Sequence, residues 1–290
     1  MTALGAVFRP QLPPEKLRDI VRTAEAAGLE ELWLWEDCFL ESGIATASTA
    51  LAWTERLRVG LGLVPVPLRN VALTAMETAT LDRLFPGRFT LTVGHGVQDW
   101  MGQVGARAAS PVTLLREYLD ALRALLRGEH VTTDGRYVKL DDVALDWPPP
   151  TAPEVLTGAR GPRTLRLSGE AADGTLLDAV ASPNGVLEAR RIIDEGRAAA
   201  GRTDPHRVVV YLLTATGPDA AARLRTELAA MGVDKTPGLG AAGDAGTVAK
   251  AVQRLVDAGA DTVILQPTAD EPDPEGFVRF VAEEVRPLVP

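Results

Sequence analysis

Glu154–Asp178 reads EVLTGARGPRTLRLSGEAADGTLLD. A short apolar run, Val155-Leu156, turns sharply through Gly158-Ala159-Arg160-Gly161. Pro162 then supplies the φ favoured at a first helical position, where its missing N–H costs nothing. Thr164–Asp173 continues as a helix, and Gly174–Asp178 reads as the next strand. Strand, glycine turn, helix and strand together have about the minimum length of a βαβ unit. Two glycines let the backbone come close to a ligand, and the amides at the helix start attract anions, phosphate above all. Arg160 and Arg163 add positive charge there. An ordinary βα loop with solvated arginines has the same local signature.

The same alternation extends in both directions. Leu4–Phe8 is a first strand, and Pro14–Ala27 carries Leu17, Ile20, Val21 and Ala24 at helical spacing before Gly28 closes it. Glu31–Trp35 is a second strand, Ile44–Trp53 a helix, and Arg58–Val64 a third strand. Ala72–Leu84 is a helix stopped by Pro86-Gly87, and Phe89–Val93 is a fourth strand. Pro111–Leu126 is helical. Val131–Leu145 alternates weakly around Asp134-Gly135, a dipeptide favoured in a type I′ hairpin turn. Trp147-Pro148-Pro149-Pro150 is a stiff return, so residues of about 129–150 read as a hairpin insertion. After the unit described first come a helix at Val186–Ala200, a strand at Arg207–Leu213 and a helix at Asp219–Met231. A glycine-rich loop at Lys235–Gly246, a helix at Thr247–Ala258, a strand at Thr262–Leu265 and a helix at Pro274–Val285 complete the chain.

Strands followed by helices in this number and length predict an α/β chain of one domain, residues 1–290, folded as a (β/α)₈ TIM barrel. A doubly wound sheet competes, since alternation alone does not show closure. It lacks support at the first turn, where Phe8-Arg9-Pro10 stands in place of GxGxxG. In a barrel the chemistry sits at the C-terminal strand ends. The residues to read are therefore Arg9, Asp37-Cys38, Gly62–Pro65, Gly94–Trp100, Gly158–Gly161, Asp178 and Gln266.

At 290 residues with 46% hydrophobic and 24% charged, the chain can bury a large core and has no apolar run of membrane-spanning length. Thirty basic against thirty-nine acidic side chains leave −9, which argues against nucleic-acid and anionic-membrane partners. A single cysteine, Cys38, excludes an internal disulfide and fits a reducing compartment, and no leader-like stretch opens the chain, so a cytoplasmic location is expected. Three histidines, His95, His130 and His206, far apart in sequence, make no metal motif, and no metal is expected.

Five segments in register resemble the bacterial luciferase-like superfamily, and within it the flavin- and F420-dependent oxidoreductases of actinobacterial type. They are Trp35–Phe39, Gly60–Asn70, Ala79–Asp82 with Pro86–Phe89, Val93–Gly96, and Gly158–Pro162 with Ala172–Gly174. The resemblance runs from about Leu4 to Val285 and includes the hairpin before strand five. It implies a cis peptide at Gly62–Leu63, in a strand-three bulge whose Gly62, Leu63, Val64 and Pro65 back the cofactor ring. It implies that Asp37 accepts a hydrogen bond from the ring, that His95, Gly96 and Trp100 border it, and that Ala159, Arg160 and Gly161 bind its phosphate.

Two positions depart from the family pattern. Cys38 stands where several relatives have a catalytic histidine, and a thiol donates a proton only weakly unless its pKa is shifted. Val97 stands where sugar-phosphate dehydrogenases have a glutamate. The proton source is left among Cys38, His95, Asp99 and water. The resemblance thus implies hydride transfer from reduced coenzyme F420 to a C=C or C=N bond of a small-molecule or natural-product substrate. The alternatives are an FMN-dependent monooxygenase served by a flavin reductase, and a barrel that binds a cofactor without turnover. A homodimer is the family expectation.

Overall fold

The computed structural model describes residues 2–290. The chain begins β1 (Ala3–Val7), α1 (Leu17–Ala27), β2 (Glu31–Leu34), α2 (Gly43–Ala52), β3 (Arg58–Pro65), α3 (Val71–Leu84) and β4 (Phe89–Gly94). Then come α4 (Gln98–Gln103), α5 (Pro111–Leu126), a hairpin of β5 (Val131–Asp134) and β6 (Lys139–Val143), β7 (Val155–Gly158), α6 (Pro162–Ala171) and β8 (Gly174–Leu177). It ends with α7 (Pro183–Ala199), β9 (Arg207–Ala215), α8 (Ala220–Ala230), β10 (Ala241–Ala242), α9 (Ala245–Asp257), β11 (Thr262–Pro267) and α10 (Pro274–Arg279).

Among the described residues, eight parallel strands run in the order β11-β1-β2-β3-β4-β7-β8-β9, and β9 pairs with both β8 and β11. The sheet is therefore closed, and the doubly wound alternative falls. Closure follows from two-residue periodicity. Val7, Trp33, Leu156, Leu176, Val209, Tyr211, Leu213 and Ile264 form an inner cluster. Their strand neighbours Ala6, Leu32, Leu34, Leu177, Val208, Val210, Leu212, Val263 and Leu265 pack outward against the helices. At the N-terminal mouth the buried Glu31 accepts from Trp33 Nε1 at 2.8 Å, Arg58 at 3.1 Å and Arg207 at 2.7 Å. That end is held by ion pairs.

Local rules account for most boundaries. Gly28 ends α1 with φ +75, and Pro162 and Pro183 open α6 and α7, the latter capped by Ser182 Oγ. Three expectations are corrected. The hairpin does not turn at a two-residue Asp134-Gly135 corner: Gly135–Val138 form a longer loop, and the Gly135 amide donates to Val138 O at 2.9 Å. The loop is held by Glu117, whose carboxylate accepts from the amides of Arg136, Tyr137 and Val138. The glycine-rich stretch contains β10, two residues paired to β9. Finally, the last helix changes to π geometry over Phe280–Val285. Among the described residues no helix is long and apolar enough to cross a membrane.

Candidate active site

A cavity of about 390 Å³ lies at the C-terminal ends of the barrel strands. The end of β3 forms part of its wall. Pairing with β4 is regular through Gly62–Thr92 and resumes at Val64–Val93, so Leu63 is an inserted bulge residue. The Gly62–Leu63 bond is cis, as the resemblance implies; Cys38–Phe39 is cis as well, which no sequence signal announced. A Cβ on Gly62 would lie 2.5 Å from Leu176 Cδ2 and 2.7 Å from the Tyr211 hydroxyl. Leu63 in turn presses on two glycines: a Cβ on Gly94 or Gly158 would lie 2.5 or 2.3 Å from its Cδ2. The glycines at three strand ends are thus space requirements of one bulge.

Tyr211, on β9, crosses the barrel to this point. Its hydroxyl donates to Gly62 O at 3.3 Å, and its ring meets Trp33 edge-on and Trp35 at a tilt, with centroids 6.0 and 6.1 Å apart. Full burial drives its pKa well above the ordinary tyrosine value, so the hydroxyl stays a donor. Trp35 lines the wall and donates from Nε1 to Asp37 Oδ2 at 2.8 Å. Burial pushes the Asp37 carboxyl above the usual range, against the opposing pull of that bond and of Arg9. Arg9 itself donates to Glu227 at 2.6 Å and to Pro267 O at 2.9 Å.

Glu36 also borders the cavity but is fully engaged: Gly43 N donates to it at 2.8 Å, and Arg69 grips both its oxygens. His95, after β4, makes a 3.0 Å bond through Nε2 with Thr164 Oγ1 in the first turn of α6. Burial pushes its pKa down, only partly offset by the Pro111 backbone, so the ring is neutral at neutral pH. Beyond Gly158, Arg160 pairs with Asp178 after β8, with an Nε–Oδ2 distance of 2.9 Å. Among the described residues the amides of Arg160 and Gly161 have no backbone acceptor, and α6 opens directly after them.

The structure gathers Asp37, Gly62, Leu63, Pro65, His95, Gly96, Trp100, Ala159 and Arg160 around this one cavity. Val64 does not reach it, because alternation past the bulge turns its side chain into the outer core. Gly161 stands just outside, as the N-cap of α6. Two of the three side chains read as proton sources are corrected. Asp99 falls in the first turn of α4, where its side chain is 94% exposed and paired with Arg107 at 3.1 Å. Cys38 does not line the cavity either, and burial, then Glu36 and Asp37, raise its thiol pKa away from reactivity. Sequence reading missed Trp35, Glu36, Leu176 and Tyr211 as lining residues. For Trp35 and Glu36 the signal was present, since they precede Asp37 at a strand end.

Comparison with known proteins adds the following. The model of the luciferase-like monooxygenase family matches residues 5–261. The 5,10-methylenetetrahydromethanopterin reductase of Methanolobus tindarius is 32% identical over 75% of this chain and 66% of its own length. The enzyme of that name from Archaeoglobus fulgidus is 30% identical over 71% of this chain and 62% of its own length. Both matches thus span just under two thirds of the relative. An F420-dependent secondary alcohol dehydrogenase, solved with an F420–acetone adduct, superposes with a TM-score of 0.87 over 100% of this chain and 99% of that one, at 21% identity.

Proposed function

The chain belongs to the luciferase-like monooxygenase family, and from that premise we propose an oxidoreductase that transfers a hydride from reduced coenzyme F420 to an unsaturated carbon of a small molecule. The observation that carries the reading is a single cavity lined by both the β3 bulge and the adjoining Gly158–Arg160 turn. A planar tricyclic ring with a phosphate-bearing tail has those two needs. The cavity volume is within the range of small-molecule sites. Its floor is apolar where the glycines lack side chains, and a Cβ at any of Gly62, Gly94 or Gly158 would force its neighbours out of place. The polar end offers the Arg160 guanidinium and two unpaired amides at a helix start, the donor set a phosphate requires. The residues present therefore fit the cofactor.

In this reading Leu63, Pro65 and Trp35 hold the ring's faces, and Arg160 with the amides of Arg160 and Gly161 holds the phosphate. When bound, the cofactor supplies the hydride. The protein's own share is to orient the acceptor over the ring, exclude water with the Trp35–Tyr211–Leu176 floor, and provide a proton. Two similar proteins are named as reductases, which supports reduction over oxygenation, and one structural relative is named as F420-dependent.

The test is to mix the protein with F420 or with FMN, desalt, and record the absorbance that stays. Retention of F420, followed by acceptor-dependent oxidation of its reduced form, is the expected result. Retention of FMN alone transfers the proposal to a monooxygenase, and tight binding without turnover across acceptors reduces it to a binding protein.

A further inference from the structure

We infer that Asp37 is the residue that hands a proton to the acceptor, with Trp35 as the side chain that positions it. The inference rests on the hydride-transfer reading above and follows from accounting for each ionisable group that borders the cavity. Glu36 has both oxygens filled by Arg69 and the Gly43 amide. Asp178 is held by Arg160 and by the Val180 amide. The Tyr211 proton is committed to Gly62 O; His95 Nε2 is taken by Thr164, and its Nδ1, although without a partner, is buried away from solvent. Asp37 differs from all of these. Trp35 Nε1 fixes Oδ2, and among the described residues Oδ1 has no hydrogen-bond partner while the residue lines the cavity.

The surroundings keep the acid form available. Asp37 faces Arg9 from the end of β1, whose charge is shared with Glu227 of α8, and Trp35, Glu36 and Cys38 on its own strand end, and Tyr211 of β9 packs on the Trp35 ring. Burial outweighs the lowering effect of Trp35 and Arg9. Asp37 also lines the cavity, whereas Asp99 lies out in solvent against Arg107 and the free ring nitrogen of His95 is buried.

Two electrons reach the acceptor carbon as a hydride from the reduced cofactor, and the π bond to its neighbour breaks. The Asp37 O–H bond breaks at the same time, and its proton forms the new bond at that neighbouring atom. The acceptor gains two hydrogens, and the cofactor is oxidised by two electrons. The Asp37 carboxylate then regains a proton, matched by the one released on cofactor oxidation.

Asp37→Asn keeps the shape and the acceptor for Trp35 Nε1 but removes the acidic proton. Its expected result is retention of F420 within about threefold of wild type, with a turnover loss of about 100-fold or more, the usual share of a general acid. Loss of F420 retention would overturn the inference, since Asp37 would then be a cofactor-holding residue. Unchanged turnover with an unchanged pH profile would overturn it too. A second measurement does not need the loaded enzyme. Carboxyl ¹³C NMR of the wild-type protein should show an aspartate titrating above the ordinary range, absent in Asp37→Asn and shifted further up in Trp35→Phe. If every aspartate titrates in the ordinary range, the inference falls even when no acceptor is turned over, whereas a raised titration with an inactive protein counts only against the hydride-transfer reading.

Discussion

A methyl group is enough to test the bulge. Gly62→Ala would drive a Cβ to 2.5 Å from Leu176 and 2.7 Å from the Tyr211 hydroxyl, both inside a packed barrel. Overpacking of this kind costs about 1–3 kcal/mol. The expected outcome is a lowered Tm together with loss of cofactor retention, whereas the wild-type protein retains it. A second single-residue prediction concerns His206, which is buried beside Thr175 with Nε2 and Oγ1 2.8 Å apart. Burial, then Arg197, Arg202 and Arg190, lower its pKa from 6.5 to about 4. Because the folded value is depressed, the unfolded chain binds the extra proton between those two pH values. Stability is therefore full above 6.5 and declines as pH falls toward 4, by on the order of 3 kcal/mol. Urea unfolding at pH 7 and pH 4.5 measures it: His206→Gln should lose less stability over that interval than wild type, and equal losses would refute the assignment. The bulge itself was expected from the family resemblance, but the partners that crowd it and the setting of His206 were not visible along the chain. The Tyr211–Gly62 contact joins residues 149 apart, and His206 gave no motif.

At the level of elements, legibility followed the physics of each signal. The strands and long helices were readable because apolar periodicity, Gly28 and the prolines at helix starts are local properties. The turn at Gly158–Gly161 was readable for the same reason, whereas the bulge at Gly62 came from the family resemblance alone. α4 was not, since QDWMGQ is six residues long with no side-chain cap. The hairpin loop was misread because its conformation is set by a distant carboxylate: Glu117 on α5 collects three loop amides. Those bonds hold its carboxyl below the usual range, although the burial of the site opposes them. Glu117→Ala should accordingly speed hydrogen exchange at Arg136–Val138 and leave cofactor retention unchanged. Its cost is about 1–3 kcal/mol, the penalty of stranding amides that had partners. Unaltered exchange in the loop would show that the backbone holds itself.

For the molecule as a whole, one exposed apolar stripe lies on α3. Leu73, Met76 and Leu84 are 46%, 57% and 65% exposed, and with Thr80 they fall on one face of the helix. The opposite face, with Val71, Ala75, Thr78 and Ala79, is buried against the barrel. An exposed apolar row favours cover by a partner. Exposed apolar side chains in a row also carry no charge that would repel an identical row. Paired about a twofold axis, one stripe can meet its own copy, which is the simplest closed way to cover it. The expected state is therefore a homodimer through α3, and light scattering coupled to size exclusion measures it directly. Met76→Glu would place a carboxylate opposite its symmetry mate and should convert the protein to monomer. The cavity lies at the strand ends, away from this helix face, so cofactor retention should survive the change. A wild-type protein that runs as a monomer, or a Met76→Glu variant that stays dimeric, would assign the stripe no such role.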